Sequence, residues 1–296
     1  MTAVITVPAS LDERSFETVL EQLALIPADA KVLVDARYTR FATPFGLTSL
    51  LCLAQTRLEK PDFAPPEDES VGSYWARANF YRYAEELYTM RGTVPRPRAS
   101  QDSDVLLEVT AIARSEDVHD VVDRVKDRAT HILTTKLDLE PRATMGFTMT
   151  LSEACQNIVE HAGRGGWVMV QRYNWSKRRV GRDVVQIAVC DAGVGFRQSL
   201  ETSRARALAD RWDDATALES GVINGVSRFQ DPGRGQGMKG IRGYVFRFDG
   251  KLSVRSGTAR IALNPEWEDD VPREQNLSSM PGAQLQIIIP KRVPKP

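Results

Sequence analysis

The stretch Leu151-Ser-Glu-Ala-Cys-Gln-Asn-Ile-Val-Glu-His-Ala162 carries an apolar stripe and a polar one at the same period. Leu151, Ala154, Ile158 and Ala162 recur every three or four residues, while Glu153, Asn157 and His161 stand four apart, drift only about 40° per step and share the opposite face. The spacing predicts a helix over Thr148 to Ala162. Its polar face has two readings. An ordinary amphipathic helix turns such a face to water. As chemistry, Asn157 offers a neutral oxygen to a hard Mg2+, which takes few protein ligands, and Glu153, one turn away, offers a base. His161, near the helix end and without a His or Cys at ligand spacing, caps carbonyls or packs rather than binding metal.

Two later stretches fit the same chemistry. Asp191-Ala-Gly-Val-Gly195 follows the strand-like run Val184 to Cys190. A carboxylate at a strand end accepts well from the exocyclic amine of adenine, and Gly193 and Gly195 let backbone approach a flat base; the same residues equally suit a turn closing a hairpin. Gly233-Arg-Gly-Gln-Gly-Met-Lys-Gly240 contains Gly235-x-Gly237-x-x-Gly240, formally a dinucleotide fingerprint. That reading fails on context, because Arg228 to Pro232 is not strand-like and Asp249 comes too early. What remains is a loop of free N–H groups feeding a helix over Gly237 to Phe246, which suits phosphates, with Arg234 and Lys239 adding charge. No GxxxxGK[ST] loop is present, nor the HRD and DFG signatures of eukaryotic-type protein kinases.

The 296 residues and 42% hydrophobic content suit a soluble globular protein of two domains. Lys plus Arg (39) balances Asp plus Glu (39), so no global field holds nucleic acid or an anionic membrane. With no targeting segment and no membrane-length apolar run, the expectation is a cytoplasmic protein. Cys52, Cys155 and Cys190 have neither CxxC nor CxxH spacing and read as reduced core residues.

In the first half, strands are predicted at 3–7 and 31–36, with a helix between them capped at 10–12 and ended by Pro27. Phe45 to Leu58 reads as an amphipathic helix, Pro61 to Ser70 as a loop and Tyr74 to Tyr88 as an aromatic-rich helix. Arg91 to Asp104 is the best linker, which divides the chain into 1–92, a linker at 93–104, and 105–296. The second half reads as a strand at 105–112, a helix at 116–133, the helix of the opening stretch, strands near 167–173 and 184–190, a long polar segment at 196–232, the helix from Gly237, and strands at 251–255 and 285–289. This is an α+β pattern, one sheet with helices on one face.

Order and spacing of the three stretches resemble the GHKL (Bergerat-fold) ATPases, the group of gyrase, MutL, histidine kinases and anti-sigma-factor serine kinases. The resemblance covers about Val105 to Pro290, including Pro281-Gly-Ala-Gln-Leu-Gln-Ile-Ile-Ile-Pro290 as the final strand, where Ala283 and Leu285 depart from the family pattern. It implies a mixed-sheet Bergerat sandwich and Mg-ATP as cofactor. Asn157 would sit on the metal, Glu153 would act as base and Asp191, Gly193 and Gly195 would hold the base. Gly233, Gly235 and Gly237, with Met238 and Lys239 after them, would lie at the phosphates, and a mobile lid would span Gly195 to Gly237. Within the lid segment, Arg204, Arg206, Arg211 and Arg228 stand among acids and read mostly as a solvated face, with one of them free to reach the γ-phosphate on closure.

Leu-Ser-Glu-Ala-x-x-Asn-x-x-x-His-Ala looks most like the anti-sigma-factor kinase branch, and Val32 to Leu47 resembles the STAS domain of the antagonists those kinases phosphorylate. The resemblance implies a STAS-like regulatory domain at 1–92 and a kinase-like ATP-binding domain at 105–296. The partner would be a protein of STAS or sigma-factor-regulating type rather than nucleic acid or membrane, and a homodimer is compatible with it. The antagonist's acceptor serine is replaced by Phe45, leaving scaffolding, docking or autoregulation for this domain and Thr43, Thr48 and Ser49 as minor acceptors. His119 reads as a surface helical residue rather than a phosphoacceptor.

Overall fold

The computed structural model describes residues 2–97, 105–175, 183–208, 210–227 and 237–291. The chain is a mixed α/β protein. Its first half runs β1 (Ala3–Thr6), β2 (Ser10–Leu11), α1 (Glu13–Ala24), β3 (Val32–Asp35), β4 (Phe41–Ala42), α2 (Pro44–Gln55), β5 (Asp62–Ala64), α3 (Glu69–Arg77), α4 (Phe80–Leu87) and β6 (Thr89–Met90). Strands β1, β3, β5 and β6 pair in that order, all parallel, each joined to the next by a helical crossover.

The second half runs β7 (Val105–Ile112), α5 (Ser115–Thr135), α6 (Pro141–Asn157), β8 (Gly166–Asn174), β9 (Asp183–Asp191), α7 (Gly195–Ser199), α8 (Arg204–Leu208), α9 (Asp214–Val222), α10 (Gly237–Arg247), β10 (Lys251–Gly257), β11 (Ala259–Leu263), β12 (Arg273–Glu274) and β13 (Met280–Pro290). Its seven strands are ordered β12-β11-β10-β13-β9-β8-β7, and every pairing is antiparallel where a mixed sheet was expected. Residues alternate across this sheet. Val168, Val170, Ile187, Val189, Val254, Leu285 and Ile287 face α5, α6 and α10, while Trp167, Met169, Ala188 and Cys190 face the first half.

That second face is where α2 lies. Its segment Pro44 to Ala54 is buried all round rather than amphipathic, because one hydrophobic cluster runs from the four-stranded sheet through α2 to the seven-stranded one. The large sheet is therefore covered on both faces, not one. Phe45 is 1% exposed and meets Phe16 edge-on at 6.2 Å. Thr43, Thr48 and Ser49 are at most 4% exposed, so none is presented as an acceptor. Thr48 Oγ1 donates to Cys190 Sγ at 3.2 Å across the seam. All three cysteines are buried and free.

Other boundaries move for local reasons. The aromatic helix expected at 74–88 is two helices, broken where Asn79 takes φ 63. The helix expected from Thr148 starts at Pro141, whose fixed φ suits a first turn, and widens after Asn157 into a π turn, Ile158–Ala162. The expected loop at 61–70 contains β5, and the polar segment at 196–232 contains α7, α8 and α9. His119 is exposed on α5. Among the described residues, no helix is long and apolar enough to cross a membrane.

Candidate functional site

A cavity of about 270 Å³ opens between α6 with its π turn, the β9–α7 connection, α9 and the start of α10, and strands β10 and β13 form its floor. Its walls bring together Glu153, Asn157, Asp191, Gly195, Gly237 and Met238 from the three stretches singled out in the sequence. Lys239 is exposed on the first turn of α10 and is not part of the wall. Gly233, Gly235, Arg228 and Arg234 lie outside the described residues, as does the end of the expected linker, 98–104.

Asp191 is the last residue of β9 and 6% exposed. Its Oδ1 accepts from the N–H of Gly193 at 2.8 Å and of Ala283 at 3.3 Å; its Oδ2 has no partner among the described residues. Burial pushes the carboxyl up to about 6, against the lowering effect of those two backbone donors. The surroundings exclude side chains. A Cβ at Gly193 would overlap the Ala162 carbonyl, and one at Gly282, where φ is 83, would overlap the Asp191 carbonyl. Asp191-Ala-Gly-Val-Gly195 is thus not a hairpin turn: β9 pairs on both sides with β8 and β13, and the chain leaves it into α7.

Gly195 takes φ 69 at the mouth of α7, where the Phe196 N–H donates to Ser256 Oγ at 3.0 Å and that hydroxyl donates to the Gly282 carbonyl at 2.7 Å. On the opposite wall, Glu153 Oε2 lies 2.6 Å, and Asn157 Oδ1 3.8 Å, from the point where a Cβ at Gly237 would stand. Neither side chain has a hydrogen-bond partner among the described residues. Leu151, Ala154, Ile158 and Ala162 bury the other face of this helix in the core. His161 also lines the cavity and its Nδ1 meets Ser199 Oγ at 3.1 Å, so it ties the π turn to α7.

The wall supplies the amide oxygen of Asn157 and the carboxylate of Glu153, oxygen donors of the kind a hard cation such as Mg2+ takes; among the described residues there is no cluster of three or more His, Cys, Asp or Glu that could hold a metal. Of the arginines in the expected lid segment, Arg206 pairs with Glu201 at 3.3 Å and Arg211 with Asp213 at 3.0 Å, both in contact with solvent. Sequence reasoning missed the apolar wall of Phe196, Leu200 and Val226 and the Ala283 and Ser256 contacts. Phe196, Leu200 and Val226 stood in the segment expected to form a lid and Ala283 in the expected final strand, but no local pattern marked them as wall residues, because helix packing and sheet pairing bring them to the site. No protein-family model matches this chain, and no curated protein matches it.

Proposed function

We propose that this cavity binds Mg-ATP and that the chain is a serine/threonine protein kinase-like regulator, with 105–296 a Bergerat-type GHKL domain and 1–92 a STAS-like domain. The observation that carries the reading is convergence. Three stretches far apart in sequence, with Glu153 and Asn157, Asp191, and Gly237, line one cavity whose buried carboxylate keeps an oxygen unengaged. In this reading Asp191 Oδ2 accepts from the adenine amine, and the narrow glycine-lined turn excludes water from that contact. The N-terminus of α10 meets the phosphates with the N–H groups of its first turn. Asn157 Oδ1 would hold Mg2+, which neutralises phosphate charge. Glu153 takes the proton from a partner's hydroxyl as its oxygen bonds to the γ-phosphorus and ADP leaves. Incubation with γ-labelled ATP and candidate STAS-type or sigma-regulating proteins tests this: label transfer that disappears in Glu153→Ala is expected, and transfer unaffected by that change would remove the role.

A second reading, an ATP-hydrolysing or ATP-sensing switch, is favoured by the alternation of β10. Val254 lines the cavity and Ser256 holds its turn, while Arg255 between them bonds Glu17 of α1 at 2.6 Å. Phosphate release without any labelled protein would select the switch; no detectable ATP binding would dismiss both.

A further inference from the structure

Beside the Asp191 cavity, strand β13 breaks step with β10. Ser256 pairs with Ala283 and the next residue, Gly257, with Met280, so Pro281 and Gly282 bulge out of the ladder. On its other edge, the pairing of β13 with β9 ends at Gln284 and Cys190, one residue short of Asp191. Pro281 and Gly282 therefore have no partner in either ladder, and their carbonyls need donors from elsewhere.

Two side chains supply them. Gln284, fully buried, donates from Nε2 to the Pro281 carbonyl and to the Asp191 carbonyl, both at 2.9 Å. Ser256 Oγ donates to the Gly282 carbonyl at 2.7 Å and accepts from the Phe196 N–H at 3.0 Å. Both groups facing Gln284 Nε2 are carbonyl oxygens, so the amide cannot be turned round, although its Oε1 is left buried without a partner among the described residues. Gln284 stands opposite Cys190 in the ladder and shares its side of the sheet, the side that meets the first half. It does not line the Asp191 cavity.

The consequence falls on Asp191. With both bulge carbonyls held, the Ala283 N–H reaches Asp191 Oδ1 at 3.3 Å, the oxygen that also takes the Gly193 N–H at 2.8 Å. A carboxyl group on one donor turns about its Cβ–Cγ bond, whose torsion is broad. Two donors from separate segments on one oxygen fix that torsion and leave Oδ2 for a ligand. We propose that Gln284, together with Ser256, is a positioning residue for base recognition: it touches no ligand, and by holding the 281–283 bulge against β9 it keeps Asp191 Oδ2 set for the exocyclic amine of adenine. This role rests on the ATP reading of the cavity.

Calorimetric titration of the full chain and of Gln284→Met with Mg-ATP and with purine riboside triphosphate, which differs from ATP only in lacking the exocyclic amine, tests it. The unchanged chain should bind ATP roughly tenfold or more tightly than the analogue. Gln284→Met, similar in length and without donors, should bring that ratio to within about threefold by weakening ATP while the analogue's affinity stays nearly the same. A residue that only held the fold together would weaken both nucleotides alike. Should Gln284→Met fail to fold by circular dichroism, Ser256→Ala is read instead and should narrow the ratio in the same direction. No ATP binding by the unchanged chain would remove the ATP reading and this role with it. If the unchanged chain shows the preference, a folded variant that keeps the full ratio, or that loses both nucleotides equally, would overturn the positioning role alone.

Discussion

Glu153 Oε2 stands 2.6 Å from where a side chain at Gly237 would begin, so the carboxylate of α6 rests on the bare backbone that opens α10. Two elements separated by some eighty residues thereby share one small volume, and Asn157 Oδ1 borders the same point at 3.8 Å. A carboxylate at a helix N-terminus is electrostatically favoured, and a methyl group there must displace it.

Gly237→Ala should therefore act on function and not on stability. The carboxylate is the far end of a flexible side chain, and Ala favours the helix, so thermal unfolding should change by no more than about 0.5 kcal/mol. Phosphoryl transfer or hydrolysis should fall roughly tenfold or more, since about 1 Å of displacement is costly in chemistry. Calorimetric melting and a turnover assay on one preparation check both halves.

Glu153→Ala and Asn157→Ala should separate. The first should keep Mg-ATP affinity within a few-fold and slow the chemical step; the second should raise the Mg-ATP dissociation constant roughly tenfold, with the deficit shrinking as Mg2+ is raised. Nucleotide titrations at two Mg2+ concentrations, with single-turnover kinetics, measure the split. Equal loss of binding in both variants contradicts the roles.

Asp191 makes stability depend on pH in a stated direction. Its carboxyl is raised from 3.8 to about 6 by burial, so the folded state holds this proton more tightly than the unfolded one. The contribution is fully present below pH about 4 and is lost as pH rises through about 6. Asp191→Asn does not ionise, so relative to the unchanged chain it should gain stability between pH 4 and 6, to roughly 3 kcal/mol at pH 7. Denaturant unfolding at pH 4 and 7 measures the gap. The same variant should bind ATP at least roughly tenfold more weakly, because the acceptor facing the adenine amine is gone.

Glu13 ties α1 to the sheet through Ser253, Arg260 and Gln286, with Lys251 at 3.5 Å. Asp270 shares the same cations: burial alone would raise its carboxyl, but the hydrogen bonds from Arg260 and Lys251 outweigh that and hold it well below the usual carboxylate range. Removing one partner from such a buried set leaves charges poorly compensated, so Glu13→Ala should cost roughly 3 kcal/mol or more in urea unfolding.

The elements that the sequence made legible are those with a clean period or a clean break. The apolar stripe of Leu151 to Ala162, the apolar runs of β8 and β9, and the helix opening at Gly237 all stand close to where the pattern put them. Where tertiary packing overrides local pattern, the reading failed. Helix α2 is apolar on every side because sheets flank it, which a one-sided helix template cannot register. Strand β11, Ala259–Leu263, escaped because Arg260 interrupts its apolar run; that arginine is 3% exposed and neutralised by Glu13, Asp270 and Glu274 from elsewhere. At the site, glycine spacing pointed to Asp191, but its second donor, the Ala283 N–H, comes from a strand paired 92 residues away.

Direct titration of Mg-ATP into the full chain, followed calorimetrically beside Asp191→Asn, tests the central claim. Saturable one-to-one binding, displaced by ADP and weakened roughly tenfold or more in the variant, is expected. A folded chain that binds no adenine nucleotide, or that binds it equally well after Asp191→Asn, would contradict it.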